Sequence, residues 1–177
     1  MDANADLIRY PFATPPKPGE AVSVADGVSW VRLPLPMALD HVNIYVLDDG
    51  DGWTLIDTGM KSGKMTRIWE SVLEGPLKGK PVKRVVATHH HPDHVGLAGW
   101  FLERGAELWM TRTAWLTARM LTLDEQEVSP EETLAFYRLS GMDPEMLEKR
   151  RTDRPFNFAD IVEPLPLGYT RIQQDDT

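Results

Sequence analysis

Thr88-His89-His90-His91-Pro92-Asp93-His94 lies between an apolar, β-branched run, Val82 to Ala87, and the glycine-spaced Val95-Gly96-Leu97-Ala98-Gly99. Four of the chain's five histidines fall within these seven residues. The run before them reads as a short buried strand, and the run after them, Val95 to Arg104, as a helix closed by Gly105. The cluster therefore sits where a strand ends and a helix begins, the usual place for a site in an α/β sheet. In extended backbone, residues i and i+2 point the same way, so His89 and His91 can address one point while His90 faces away. Pro92 holds His91 extended and sets the turn. Asp93 and His94 then emerge at the helix entrance, displaced from the first pair. Two imidazoles are thus offered to one metal ion, with a carboxylate and an imidazole for a second. Such nitrogen and oxygen donors suit zinc, and also iron, manganese, nickel or cobalt.

A purification tag sits at a terminus and carries no embedded aspartate, so a chance histidine run is the weaker reading. His89-x-His91-x-Asp93-His94 after a strand resembles the H-x-H-x-D-H motif of the metallo-β-lactamase fold superfamily. Asp57-Thr58-Gly59, after Trp53-Thr54-Leu55-Ile56, resembles the family's D-T-G. The resemblance spans roughly residues 28–110. It implies that His89 and His91 bind metal one, that Asp93 and His94 bind metal two, and that Asp57 supports the site from behind. It also implies an α/β (α+β) fold, the N-terminal half of an αββα sandwich in which two sheets pack together with helices outside.

The 177 residues are 42% hydrophobic, enough for one ordinary core. A formal net charge of −8 argues against a nucleic-acid groove, and the Lys80/Lys83/Arg84 and Lys149-Arg150-Arg151 groups read as solvated faces. The absence of cysteine rules out disulfides and thiolate metal sites. Met1 to Asp6 is acidic and lacks the apolar core of a signal peptide. No apolar stretch approaches the roughly 20 residues that span a bilayer, so no membrane partner and a cytoplasmic location are expected.

Residues 1–20, with Pro11, Pro15, Pro16 and Pro18, read as an extended segment. Residues 21–111 read as the first half of the domain. Ala21–Ala25 and Val28–Leu33 form a hairpin across Asp26-Gly27, and strands follow at 41–47, 53–56, 82–88 and 106–111. The acidic Asp48 to Gly52 fails as a calcium loop: with Gly52 at position six, Leu47 and Thr58 would fill the ligand positions at its ends. It reads as a hairpin turn. Gly59 to Lys64 fails as a phosphate loop, with one residue too few between its glycines and Met65 where Ser or Thr is needed. Met65, Ile68, Trp69, Val72 and Leu73 follow a helical period, which places Trp69 in the core.

Residues 112–157 read as a helical insertion. A first helix runs from Thr113 to Leu123, a second follows a capping box at Ser129-Pro130-Glu131-Glu132, and a third starts at Asp143-Pro144. Ordinary outer-layer packing is the alternative for this block. Strand-like sequence returns at Ile161–Leu167 and Tyr169–Ile172, and residues 158–177 read as the start of the second half of the domain.

A dinuclear site of this family takes further ligands from later residues, yet no histidine follows His94. Asp153, Asp160, Glu163, Asp175 and Asp176 offer oxygen outside any matching motif. The expectation is therefore the N-terminal portion of a longer protein, inactive on its own; an intact chain with a degenerate site is the alternative. The resemblance implies a hydrolase that uses metal-bound hydroxide on an ester, lactone, thioester, amide or phosphoester of a small-molecule substrate. Two zinc ions are expected in the whole protein, with iron or manganese as alternatives, and Asp93 is the catalytic candidate. His41, at the start of a strand, is a candidate for the substrate cleft. A mononuclear-iron sulfur dioxygenase of the same fold and a non-catalytic association module remain as other readings. A single sheet covered by helices on one face is expected to self-associate, most simply as a homodimer.

Overall fold

The computed structural model describes residues 11–174, so the readings placed on Met1 to Asp6 and on Asp175 and Asp176 lie outside the described residues. Its centre is a seven-stranded sheet in sequence order: β1 Val22–Ala25, β2 Val28–Pro34, β3 His41–Asp48, β4 Trp53–Ile56, β5 Val82–Ala87, β6 Glu107–Met110 and β7 Thr170–Arg171. The first three ladders are antiparallel and the last three parallel. The change of direction follows from connection length. Short connections of two to six residues link β1 to β4, whereas each parallel pair needs a helical crossover.

The turn at 48–52 is the hairpin its sequence suggested. Asp49 N–H donates to Gly52 O at 3.0 Å, Gly50 N–H donates to Asp48 Oδ1 at 3.1 Å, and Lys80 Nζ holds the Asp48 carboxylate at 2.6 and 2.8 Å. The β4–β5 crossover is α1, Gly63–Glu74, which Ser62 caps by accepting from Met65 N–H at 3.2 Å. Its buried face is Met65, Ile68, Trp69 and Val72, the stripe that the helical period marks out. These side chains cover one face of the sheet, where Val31, Ile44, Val46, Leu55, Val85 and Leu108 are each at most 3% exposed.

The helix expected over 95–104 is two short ones, α2 Pro92–Val95 and α3 Ala98–Leu102. At the break, backbone groups are drawn outward. Leu97 N–H donates to Gly59 O at 3.0 Å, and Gly96 O accepts from Glu163 N–H at 2.7 Å. Phe101 of α3 meets Trp69 edge-on, ring centroids 5.0 Å apart.

The β6–β7 crossover carries α4 Arg112–Leu123, α5 Glu131–Leu139 and α6 Pro144–Thr152. The expected capping box is not formed. Pro130 occupies the cap, and Ser129 Oγ instead donates to Arg150 O at 2.8 Å, tying α5 to α6. Residues 161–167 are not a strand. Pro164 and Pro166 have no N–H to give a ladder, and the neighbouring carbonyls are taken by side chains of α4. Arg119 Nη1 donates to Leu165 O at 2.6 Å and Trp115 Nε1 to Pro166 O at 3.3 Å. Thr170–Arg171 adds to the edge of the same sheet.

The sheet face opposite the helices carries Trp30, Tyr45, Ile56, Val86 and Trp109 in one in-register row. Phe12 lies 6.0 Å from Trp30 and the Arg84 guanidinium 4.8 Å from the Trp109 ring, so the row is partly covered.

Candidate metal centre

Asp57, Thr58 and Gly59 follow β4, and the histidine cluster follows the neighbouring parallel strand β5, so both leave the sheet at the same end. Each residue of the first group grips the second. Thr58 N–H and Oγ1 both donate to His94 O, at 2.8 and 2.9 Å, and Thr58 Oγ1 accepts from Leu97 N–H at 3.1 Å. Trp69 Nε1 holds Thr58 O at 2.7 Å from the core side. Gly59 has φ +85°, and an added Cβ would lie 2.4 Å from Leu33 Cδ1, so this approach needs glycine.

Asp57 is 5% exposed and takes φ +68°, a left-handed backbone that Asp tolerates better than most side chains. Its carboxylate accepts from Thr88 N–H at 2.7 Å and from Thr88 Oγ1 at 2.9 and 3.0 Å, and it lies 2.7 Å from His94 Nδ1. A carboxylate only accepts, so His94 Nδ1 carries a proton, and Nε2, which faces Asp93, presents a lone pair only in the neutral ring. The Thr88 hydroxyl spends its one proton on Asp57, so its 3.0 Å contact with His89 Nδ1 makes that nitrogen the donor. His89 Nε2 is thereby left with a lone pair as well. One carboxylate sets the tautomer of both rings, the arrangement that metal-ligating histidines need.

His91 ends the extended stretch at φ −63°, ψ 145°, and Pro92 opens α2. The ring of His89 lies 4.6 Å from that of His91 and 4.0 Å from that of His94, centroid to centroid. Asp93 Oδ2 is 3.2 Å from His94 Nε2. His90 keeps 6.3 Å from His89 but comes to 4.8 Å from His91. Burial and the neighbouring His94 and His91 push the His89 pKa down. At His94 burial also opposes the proton, but Asp57 and Asp93 outweigh it and the pKa rises.

The donor chemistry fits a divalent ion of the zinc, iron or manganese kind. Among the described residues, however, no group of three or more His, Cys, Asp or Glu side chains is arranged to hold an ion by itself. His89, His91, Asp93 and His94 offer donor atoms of the kind such an ion takes without forming a complete site by themselves.

The family model described as the metallo-beta-lactamase superfamily matches residues 37–170. The chain belongs to that superfamily. A curated Bacillus subtilis (strain 168) protein named "Probable metallo-hydrolase YqjP" is 38% identical over 72 residues, covering 40% of this chain and 22% of that protein. The solved structure of a beta-lactamase domain protein from Burkholderia ambifaria matches with TM-score 0.79 and 36% identity, over 94% of this chain and 48% of that one. A metallo-beta-lactamase family protein of Thermus thermophilus shares the fold, with TM-score 0.66 and 24% identity, over 87% of this chain and 48% of that one. The chain therefore spans about half the length of these superfamily structures.

Sequence reasoning brought His89, His91, Asp93, His94 and Asp57 to one end of the sheet, and the structure places them there together. It missed Thr88, although the residue opens the motif. His41 has other neighbours, Arg32 and Asp40. No helix among the described residues is long and apolar enough to cross a membrane.

Proposed function

We propose that this chain carries the metal-binding motif of a hydrolase acting on a small-molecule ester, lactone, thioester, amide or phosphoester. The observation that carries the reading is the Asp57 carboxylate 2.7 Å from His94 Nδ1 and bonded to Thr88, because it engages Nδ1 of His94 and, through Thr88, Nδ1 of His89, leaving Nε2 of each neutral ring to face a metal ion. Support also comes from membership of the superfamily and from the metallo-hydrolase name of the B. subtilis relative.

His89 and His91 would hold one ion, Asp93 and His94 a second, with zinc proposed and iron or manganese as alternatives; both shells would need further donors. A bound divalent ion supplies Lewis acidity and lowers the pKa of water to about 7. The chain's own contribution is geometric. Asp57 fixes ring orientation, Thr88 relays that constraint to His89, and Pro92 sets the turn that delivers Asp93. The Asp93 carboxylate orients the attacking water and accepts its proton.

The test is hydrolysis of a panel of esters, lactones, thioesters and phosphodiesters by a form of the protein that turns over substrate. Asp93→Ala and His89→Ala are each expected to lower kcat by about a hundredfold or more. Turnover that survives both substitutions would overturn the assignment.

A further inference from the structure

Arg32 on β2, and Asp40 and His41 at the start of β3, form a second cluster of charged and titratable side chains. It stands where β2 ends and β3 begins, the end of the sheet at which β4 delivers Asp57, since Pro34 pairs with His41 and Tyr45 with Ile56. A cavity of about 210 Å³ opens there, lined by Pro16, Pro18, Arg32, Pro34, Asp40 and His41. The three prolines give it stiff walls that contain no backbone N–H. The cationic hydrogen-bond donor in the lining is the Arg32 guanidinium.

The contacts within this cluster conflict. Arg32 Nη2 lies 2.8 Å from His41 Nδ1, and Asp40 Oδ1 makes a hydrogen bond to that same nitrogen. A guanidinium only donates and a carboxylate only accepts, so one imidazole nitrogen cannot satisfy both. Arg32 reaches Asp40 Oδ1 only at 3.4 Å, and the Asp40 side chain is 75% exposed. The guanidinium of Arg32, whose side chain is 28% exposed, is therefore held by an unfavourable neighbour and one long contact.

We propose that Arg32, with His41 and Asp40 beside it, forms a subsite for an oxyanion, a carboxylate or phosphate group carried by the substrate. The incoming group takes two guanidinium N–H donors in parallel. Arg32 is then released from Nδ1, and His41 donates Nδ1–H to Asp40 without competition. Asp40 acts as an internal carboxylate that the substrate displaces from Arg32. The role given to the oxyanion rests on the hydrolase reading. Its binding needs no metal, so failure here and failure at the histidine motif are separate results.

The test is histidine NMR on the 177-residue chain in the presence of a chelator, titrated with acetate, inorganic phosphate or chloride at constant ionic strength. The proposal predicts a saturable shift of the His41 resonances with acetate or phosphate and none with chloride. Preference for acetate identifies a carboxylate substrate, and preference for phosphate a phosphorylated one. Arg32→Gln should weaken binding about tenfold or more, and Asp40→Asn should tighten it severalfold by removing the internal competitor. A shift that merely drifts with concentration, or that persists in Arg32→Gln, would overturn the subsite. Should Arg32→Gln fail to fold, Asp40→Asn decides alone: affinity that is unchanged or weaker overturns it.

Discussion

Asp57 Oδ2 stands 2.7 Å from His94 Nδ1 although the two residues are 37 positions apart, and the same carboxylate receives Thr88. Asp57→Ala removes this anchor and leaves the Thr88 N–H without its acceptor. Metal affinity should fall by about ten- to a hundredfold. Folding should lose about 1–3 kcal/mol from the orphaned donor. Asp57→Asn keeps a side chain suited to the left-handed backbone, so it should recover much of the stability and little of the affinity. Chemical denaturation beside metal titration separates the two effects.

Gly96 and Gly63 should respond to alanine in opposite directions. A Cβ on Gly96 would lie 2.4 Å from Pro92 O, 2.7 Å from Gly59 O and 2.7 Å from Lys61 N, all backbone atoms that cannot step aside. Gly96→Ala should therefore cost about 1–3 kcal/mol or more and disturb metal uptake, because it separates the Asp57-Thr58-Gly59 loop from the motif. At Gly63 the nearest atom is Arg67 Nη1, 3.5 Å away on a flexible side chain. Gly63→Ala in the first turn of α1 should stabilise by about 0.4–1 kcal/mol. Melting curves of the two variants check both signs.

In metal-free protein the two rings should titrate apart, His94 above the ordinary imidazole value of 6.5 and His89 below it. His94 favours the folded state fully below 6.5, and this stabilisation is lost as pH rises through its elevated folded pKa. His89 has the opposite sign: its resistance to the proton weakens the fold as pH falls below 6.5 toward its lowered folded pKa. The contributions partly cancel in overall stability, so histidine NMR is the sharper probe. Asp57→Asn should bring the His94 midpoint down, and an unchanged midpoint would show that Asp57 does not hold its proton.

Most of the strands could be read from sequence because they are apolar, largely β-branched runs bounded by glycine, proline or acidic turn residues. α1 could be read because its apolar period alone decides which face is buried. The break at Gly96-Leu97 could not, since the groups that draw its backbone away belong to Gly59 and Glu163. The irregular path of 161–167 has a similar origin in Arg119 and Trp115 on α4. Within the site, the candidate donor types and their order were visible as a local pattern. The left-handed Asp57 and the hydroxyl of Thr88, which fix the tautomers, became visible only once β4 and β5 lay side by side. Arg32, Asp40 and His41 are joined by strand pairing, and their conflict at a single nitrogen has no signature in the chain's order.

His89, His91, Asp93 and His94 are expected to bind a divalent ion with rings preset by Asp57. Calorimetric titration of the metal-free chain with zinc tests it most directly. Binding should be measurable but weak, since four donors do not close two shells, and should be lost in the His89→Ala/His91→Ala variant. Zinc binding that is undiminished in that variant, or no binding by the unaltered chain, would contradict the assignment. Tight binding of two ions per chain would contradict the incomplete shell.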